Sequence, residues 1–198
     1  MLLDVDESQL LLVDYQERLM PFIHEHEAVL LNAKRLGRMA QMLGVPTWGT
    51  EENPARLGPN PSELRALCRK TLEKMQFSAC ADGLTDLLRA PARQPQGGNA
   101  RSLPKHLQKP PPERNTIVMA GCETHVCFLQ TALDLLDEEF EVWVVTDACG
   151  SRTERNRDAA FDRLAGAGAE LVTTEMVAFE WLRTADHPLF RDVLSLIK

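Results

Sequence analysis

The chain lacks the features that mark membrane proteins, exported proteins and nucleic-acid-binding proteins. Its longest apolar runs, such as Leu10–Val13, fall far short of the roughly 20 residues that span a bilayer. Its first six residues include two acids and no basic residue, whereas export and transit signals are basic. With 22 basic and 29 acidic residues, the net charge of −7 opposes binding to nucleic acid. We therefore expect a cytoplasmic protein without membrane or nucleic-acid partners.

The chain also lacks the cysteine pattern of a disulfide-bonded or zinc-binding protein. It has five cysteines, an odd number, and no export signal, so a disulfide framework is not expected. Cys122 and Cys127 are separated by four residues, but no second pair of Cys or His completes a zinc site. The cysteines are therefore predicted to be buried apolar residues or reactive thiols, with no metal or other cofactor.

Length and hydrophobic periodicity predict one α/β domain over residues 1–198. Hydrophobic residues make up 44% of the chain and charged residues 26%, as in globular proteins. Apolar runs predict strands at Ser8–Asp14, Val45–Thr50, Asn115–Gly121, Glu141–Asp147 and Glu170–Thr173. Helical spacing or composition predicts helices at Glu27–Leu43, Ser62–Arg69, Asp82–Arg89, Thr124–Asp137, Glu154–Ala167, Glu175–Leu182 and Pro188–Ile197, with a loop at Asn53–Pro61. This alternation predicts a mostly parallel sheet with helices on both faces.

One segment, Ala90–Pro112, interrupts the alternation. Its 23 residues contain six of the 12 prolines, four basic residues and no acid. Such a segment cannot bury a core face, so we predict a surface insert. Two interpretations are open: a lid or docking arm for an acidic partner, or a tolerated insertion without a role.

The residues that follow the strands are the first candidates for chemistry, because ligands bind at the carboxyl ends of parallel strands. Cys127 falls in the first turn of a helix that is predicted to begin near the capping residue Thr124, directly after a strand. Helix N-terminal amides favour a thiolate and can form an oxyanion hole, so Cys127 is a candidate nucleophile. The alternatives are a buried structural Cys127, or Cys122 as the nucleophile. His125 is a poor base, since a spacing of two residues points its side chain away from Cys127.

Two further residues have charges that suit such a thiol. Asp14 ends an apolar strand, where partial burial would raise its pKa toward that of a general base, although it could instead cap the following turn. Lys74 would stabilise both the carboxylate and the thiolate if it lay nearby; taken alone, it is indistinguishable from a surface lysine.

Five ordered motifs give the chain a resemblance to the isochorismatase-like cysteine hydrolases, which include nicotinamidases and N-carbamoyl amidases. They cover nearly the whole chain outside the insert: Leu11–Gln16, Val45–Glu51 with Leu57-Gly58, Lys74–Ser78, Gly121–Cys127 with Thr131-Ala132, and Asp147–Arg152. The last motif and Ala185–Pro188 are most similar to the isochorismatase-domain-containing subgroup. The resemblance implies a three-layer α/β/α sandwich with Rossmann-like strand order, a homo-oligomer and a small-molecule substrate.

The resemblance also implies an Asp–Lys–Cys triad, carried here by Asp14, Lys74 and Cys127. It implies a cis peptide at Cys122–Glu123 and an oxyanion hole lined by the amides of Glu123 and Cys127. Candidate pocket residues are Gln16, Glu52 and Phe77.

The chain departs from the subgroup pattern at two positions, since Glu52 and Asn53 stand where Gln and Tyr are common. The Asp-x-His metal motif of nicotinamidases is absent from this loop, so no catalytic metal is predicted.

We therefore expect a cysteine-dependent hydrolase that cleaves a small C–N bond, such as an amide or a carbamoyl group. Two alternatives belong to other classes of protein. One is a non-catalytic oligomeric scaffold that retains the fold, and the other is a redox sensor that uses Cys122 and Cys127.

Overall fold

A six-stranded parallel sheet forms the centre of the protein in the computed structural model, which describes residues 1–90 and 114–198. The strands are β1 (Ser8–Val13), β2 (Thr47–Glu52), β3 (Lys70–Lys74), β4 (Thr116–Gly121), β5 (Glu141–Val145) and β6 (Glu170–Val172). Their order in the sheet is β3-β2-β1-β4-β5-β6, and every neighbouring pair is parallel. The predicted fold class and Rossmann-like order are confirmed.

Helices cover both faces of the sheet. They are α1 (His26–Leu43), α2 (Pro54–Leu57), α3 (Ser62–Leu67), α4 (Leu84–Arg89), α5 (Leu129–Asp137), α6 (Glu154–Gly166), α7 (Thr174–Leu182) and α8 (Phe190–Ile197). Within the described ranges, none of them is long and apolar enough to cross a bilayer.

The side chains of β1 show how the two layers of helices are held. Leu10 and Leu12 belong to a buried cluster with α1, α3, α7 and α8, whereas Leu11 and Val13 belong to a second cluster with α4, α5 and α6. Successive side chains of a strand point to opposite faces, so a strand buried on both faces is apolar throughout. All six residues of β1 are buried.

The predicted elements differ from the observed ones mainly at three places. No strand was predicted at Lys70–Lys74, which is polar and partly exposed because β3 lies at an edge of the sheet. The second strand begins at Thr47 instead of Val45, since Pro46 has no N–H and contributes its carbonyl to Leu10 instead. The predicted loop Asn53–Pro61 contains the single helical turn α2.

The fourth helix prediction is also corrected. The segment Thr124–Phe128 is a π-helical turn that leads into α5, and Thr124 does not cap it. Its hydroxyl donates to the carbonyl of Gly150 instead. Apart from Ala90, the predicted insert lies outside the described residues.

Candidate active site

The strand order places the candidate residues at one crevice. The chain leaves β1 toward β2 and leaves β4 toward β5, in opposite directions along the sheet, and ligands bind at such a switch point in open parallel sheets. Asp14 follows β1, and Cys122 follows β4. The two strands approach closely there, since a Cβ built on Gly121 would lie 2.6 Å from both Cβ and the carbonyl oxygen of Val13. A glycine is therefore required at the end of β4.

Asp14 is held by the end of β2. Its backbone has a φ of 52°, in the left-handed region that Asp tolerates better than most residues. Its N–H donates to the carbonyl of Thr50 at 3.3 Å, and its Oδ1 accepts from the Thr50 hydroxyl at 2.7 Å. The side chain is fully buried, so one carboxylate oxygen is fixed and the other is directed at Lys74.

Lys74 is the last residue of β3 and lies between two carboxylates. Its Nζ is 2.9 Å from Oδ2 of Asp14 and 2.8 Å from Oε2 of Glu52, and its side chain is fully buried. The carbonyls of Gln76 and Phe77 also accept from Nζ, at 3.3 and 3.2 Å. Burial alone would lower the pKa of Lys74, but the charge of Asp14 and the hydrogen bonds with both carboxylates raise it overall.

Glu52 meets Lys74 because the two residues occupy paired positions at the ends of β2 and β3. Gln16 fixes the backbone of Glu52: its Oε1 accepts from the Glu52 N–H at 2.8 Å, and its Nε2 donates to the Glu52 carbonyl at 2.9 Å. Nε2 also donates to the carbonyl of Gly58 at 2.6 Å. The Gln16 amide thus binds backbone groups, and its predicted place in the pocket stays a prediction.

Phe77, the other pocket candidate on this side of the site, binds Lys74 through its backbone. Its carbonyl binds Lys74, whereas its side chain is 53% exposed. A hydrogen bond from the Ala79 N–H to the Thr131 hydroxyl, at 3.0 Å, connects this loop to α5. The same hydroxyl donates to the carbonyl of Cys127 at 2.7 Å, so the loop next to Lys74 and the helix of Cys127 are linked. Neither Thr50 nor Thr131 had a predicted role, although Thr50 lies at a strand end, where chemistry was expected.

Cys127 is the fourth residue of the helical segment, and its thiol faces the two carboxylates. Its Sγ and one carboxylate oxygen from each of Asp14 and Glu52 all lie within 4.8 Å of one another. Burial raises the pKa of the Cys127 thiol to about 12, and the charge of Asp14 adds to the rise while Lys74 opposes it. Burial and the acids thus act against the thiolate that the helix N-terminus was predicted to favour. A thiol in these surroundings needs a base.

The chain just before Cys127 contains the predicted cis peptide and one of the amides that were predicted to bind an oxyanion. The peptide bond between Cys122 and Glu123 is cis, at the position that the resemblance implied. The N–H of Glu123 has no hydrogen-bond partner in the described part of the chain, whereas its carboxylate pairs with Arg152, with Nη2 and Oε2 3.1 Å apart. The amide that was predicted to bind an oxyanion is therefore not bound by any group of residues 1–90 or 114–198.

Cys122 is poorly placed to react. It is completely buried, and burial raises the pKa of its thiol well above the ordinary value. It belongs to the core cluster on one face of the sheet, whereas Cys127 belongs to the cluster on the other face, and both thiols are free. This separation disfavours the redox-sensor alternative. His125 is directed elsewhere, with Nδ1 3.0 Å from the Ser151 hydroxyl.

The donor atoms of Asp14, Glu52 and Cys127 are close enough to suggest a metal site. The Lys74 ammonium, however, already contacts both carboxylates at hydrogen-bond distance. A lysine there supplies the positive charge that a metal ion would otherwise provide, so this donor set does not fit a metal.

Fold and site together define a three-layer α/β protein with a thiol, an acid and a lysine at the switch point of its sheet. Comparison with known proteins identifies the family. The model of the Isochorismatase domain matches residues 8–176, and the chain belongs to the isochorismatase family.

The relatives agree with this family over nearly the whole chain. The bovine isochorismatase domain-containing protein 2 is 37% identical over 191 residues, which are 96% of this chain and 83% of that protein. The structure of MAR1 ribonuclease from Caenorhabditis elegans has a TM-score of 0.83 and 29% identity, covering 100% of this chain and 92% of that one. The structure of the YcaC gene product of Escherichia coli has a TM-score of 0.78 and 26% identity, covering 98% of this chain and 95% of that one. It is described as an octameric hydrolase of unknown specificity.

Proposed function

We propose that this hydrolase cleaves a C–N bond of a small molecule, an amide or a carbamoyl group, through a triad of Asp14, Lys74 and Cys127. The observation that carries the proposal is the convergence of the three side chains. The Lys74 ammonium lies 2.9 Å from the Asp14 carboxylate, and the Cys127 thiol lies within 4.8 Å of a carboxylate oxygen of Asp14. Three elements distant in sequence thus bring a base, a cation and a nucleophile to one point.

Acylation begins when Asp14 takes the thiol proton as Cys127 Sγ bonds to the carbonyl carbon. General-base assistance is needed because the pKa of the thiol is about 12. The C=O electron pair moves onto oxygen, where the free N–H of Glu123 and the amide of Cys127 would bind it. When the C=O bond re-forms, the C–N bond breaks, and Asp14 returns its proton to the departing nitrogen.

Deacylation uses the same groups for water. Asp14 accepts a proton from the attacking water, whose oxygen bonds to the thioester carbon. The C–S bond then breaks, the acid product leaves, and the proton on Asp14 returns to the sulfur. Lys74 stays protonated throughout, since its pKa is raised, and it holds Asp14 in place for both half-reactions.

Two other substrates suggested by the family and its relatives fit less well. RNA, suggested by the name of the C. elegans protein, is opposed by the net charge of −7. Isochorismate, suggested by the family name, carries two carboxylates and would meet the buried acids Asp14 and Glu52. A non-catalytic scaffold would have no use for a buried lysine between two carboxylates, an arrangement whose desolvation is costly.

The assembly and compartment belong to the same proposal. We expect a homo-oligomer, since large apolar side chains are exposed, including Phe22 at 71% and Phe179 at 43%, and since the E. coli relative is octameric. All five cysteines are free, as in proteins of the reducing cytoplasm, where we expect this protein to act.

The test is a screen of small amides and carbamoyl compounds, with ammonia or amine release as the readout. Cys127→Ala should abolish turnover of every substrate found, whereas Cys122→Ala should remain active because Cys122 lies in the core cluster on the opposite face. Full activity of Cys127→Ala would exclude the mechanism. Loss of activity in Cys122→Ala alone would show that the other thiol is the nucleophile.

A further inference from the structure

Glu52 has one carboxylate oxygen to which none of the described residues donates a hydrogen bond. Oε2 binds Lys74 at 2.8 Å, and Gln16 holds the Glu52 backbone on both sides. No residue within 1–90 or 114–198 donates a hydrogen bond to Oε1, and 11% of the side-chain surface remains accessible. Among the described residues, Oε1 is therefore the free acceptor of a side chain that is not completely buried.

The charges around Glu52 do not balance. Asp14 and Glu52 contribute two negative charges, and Lys74 contributes one positive charge. Moving the proton from Cys127 to Asp14 leaves the sum at −1, because the thiolate replaces the carboxylate. Two basic side chains, Arg18 and Arg152, line a cavity with Leu57 and Glu123; Arg152 is paired with Glu123, and Arg18 donates to the carbonyl of Arg56. Counted over these groups of residues 1–90 and 114–198, the net charge is −1 both before and after the nucleophile forms.

This charge lies where a substrate must bind. An oxygen of Glu52 is within 4.8 Å of the Cys127 Sγ, about the length of a short side chain away from the atom that attacks. A positive group close to Oε1 would gain a charge-assisted hydrogen bond and would lower the cost of a second anion at Cys127. A negative group there would be repelled by the same carboxylate.

We propose that Glu52 determines substrate specificity by binding an ammonium or amidinium group, so that the enzyme acts on small cationic amides. The inference rests on the proposed function for the reaction itself. It adds the charge of the substrate and assigns the recognition to Oε1 of Glu52.

The test measures access of charged reagents to Cys127 and does not require a known substrate. Three methanethiosulfonates are compared: the cationic 2-aminoethyl, the neutral methyl and the anionic 2-sulfonatoethyl reagents. Second-order rate constants for the Cys127 peptide are obtained by mass spectrometry and divided by the rate constants of the same reagents with free cysteine. In the native protein the cationic reagent should be favoured over the neutral one by about tenfold, and the anionic reagent should be the slowest.

Glu52→Gln is the decisive variant, because glutamine keeps the shape and can still accept from Lys74. It should reduce the preference for the cationic reagent about tenfold. Glu73→Gln is the matched control, since Glu73 precedes Lys74 on β3 but is exposed, and it should keep the native preference. Equal melting temperatures of the three proteins establish that the fold is intact. Absence of a preference in the native protein, or the same preference in Glu52→Gln, would overturn the proposal.

A second measurement separates this inference from the proposed function. β-Alaninamide, butanamide and succinamate differ in bearing a terminal ammonium, methyl or carboxylate group, and their hydrolysis is compared as kcat/KM. We expect β-alaninamide to be preferred by about tenfold, with the preference lost in Glu52→Gln. Cleavage that depends on Cys127 but not on the terminal charge would refute the role of Glu52 and leave the triad standing. A charge preference in thiol labelling without cleavage of any amide would support the role of Glu52 and refute the hydrolase mechanism.

Discussion

Replacing Lys74 with Met should destabilise the protein strongly, because Lys74 neutralises two carboxylates in the interior. The Lys74 side chain and that of Asp14 are both fully buried, and Glu52 retains 11% exposure. Methionine has nearly the same length as the lysine stem, so the substitution removes the charge without opening a large cavity. The expected effect therefore comes mainly from electrostatics.

The magnitude follows from the burial of the partners. Removing one partner of a buried ion pair costs about 3–5 kcal/mol, since the other charge is left without compensation. Asp14 should account for most of this cost, because water can reach Glu52 but not Asp14. A loss of about 3–5 kcal/mol is a large part of the 5–15 kcal/mol by which domains are usually stable.

Urea unfolding at pH 7 measures the effect, with Lys70→Met as the control. Lys70 begins the same strand but is exposed, so its substitution should change the free energy of unfolding by less than about 0.5 kcal/mol. The double variant Asp14→Asn/Lys74→Met should be more stable than the sum of the single effects predicts, by about 2 kcal/mol. If Lys74→Met unfolds within 1 kcal/mol of the native protein, the buried charge cluster does not exist as described.

Two further predictions concern pH and the strand junction. The pKa of Lys74 is raised above its ordinary 10.5, so its contribution to stability is complete below that pH and is lost as the pH rises through the higher folded-state pKa. The difference in unfolding free energy between the native protein and Lys74→Met should therefore stay constant up to about pH 10 and narrow above it. A difference that narrows between pH 7 and 9 would contradict the assignment. Gly121→Ala should lower the free energy of unfolding by about 1–3 kcal/mol and abolish most of the activity, because the new Cβ would lie 2.6 Å from Val13. The control is Gly166→Ala, whose new Cβ meets nothing within 4 Å and which should leave the melting temperature unchanged or higher.

The central fold could be predicted because its strongest signals are local. The run Ser8–Val13 is apolar on both faces of the strand, and the helix at its carboxyl side repeats apolar residues at helical spacing, so each predicts its own element. β3 could not be predicted this way, since Lys70–Lys74 is an edge strand with a polar sequence. Its existence depends on hydrogen bonds to β2, which leave no periodic pattern in the chain.

From the residue pattern alone, the site could be predicted only as separate residues, and it was the family resemblance that grouped Asp14, Lys74 and Cys127. Strand ends pointed to Asp14 and Cys127, but the contact between Glu52 and Lys74 follows from the register of β2 against β3. The direction of the pKa shift of the Cys127 thiol also could not be predicted from the sequence. Helix position alone argues for a lowered pKa, whereas the burial and the carboxylates that raise it are properties of the assembled site.

The most direct test of the central claim is to identify the residue that becomes acylated. A substrate found in the screen is mixed with the enzyme, the reaction is quenched in acid during turnover, and the modified peptide is mapped by mass spectrometry. We predict an acyl group on Cys127, with no acylated peptide in Cys127→Ala and none on Cys122 in either protein. An acyl group on another residue, or undiminished turnover by Cys127→Ala, would contradict the proposal that Cys127 is the nucleophile.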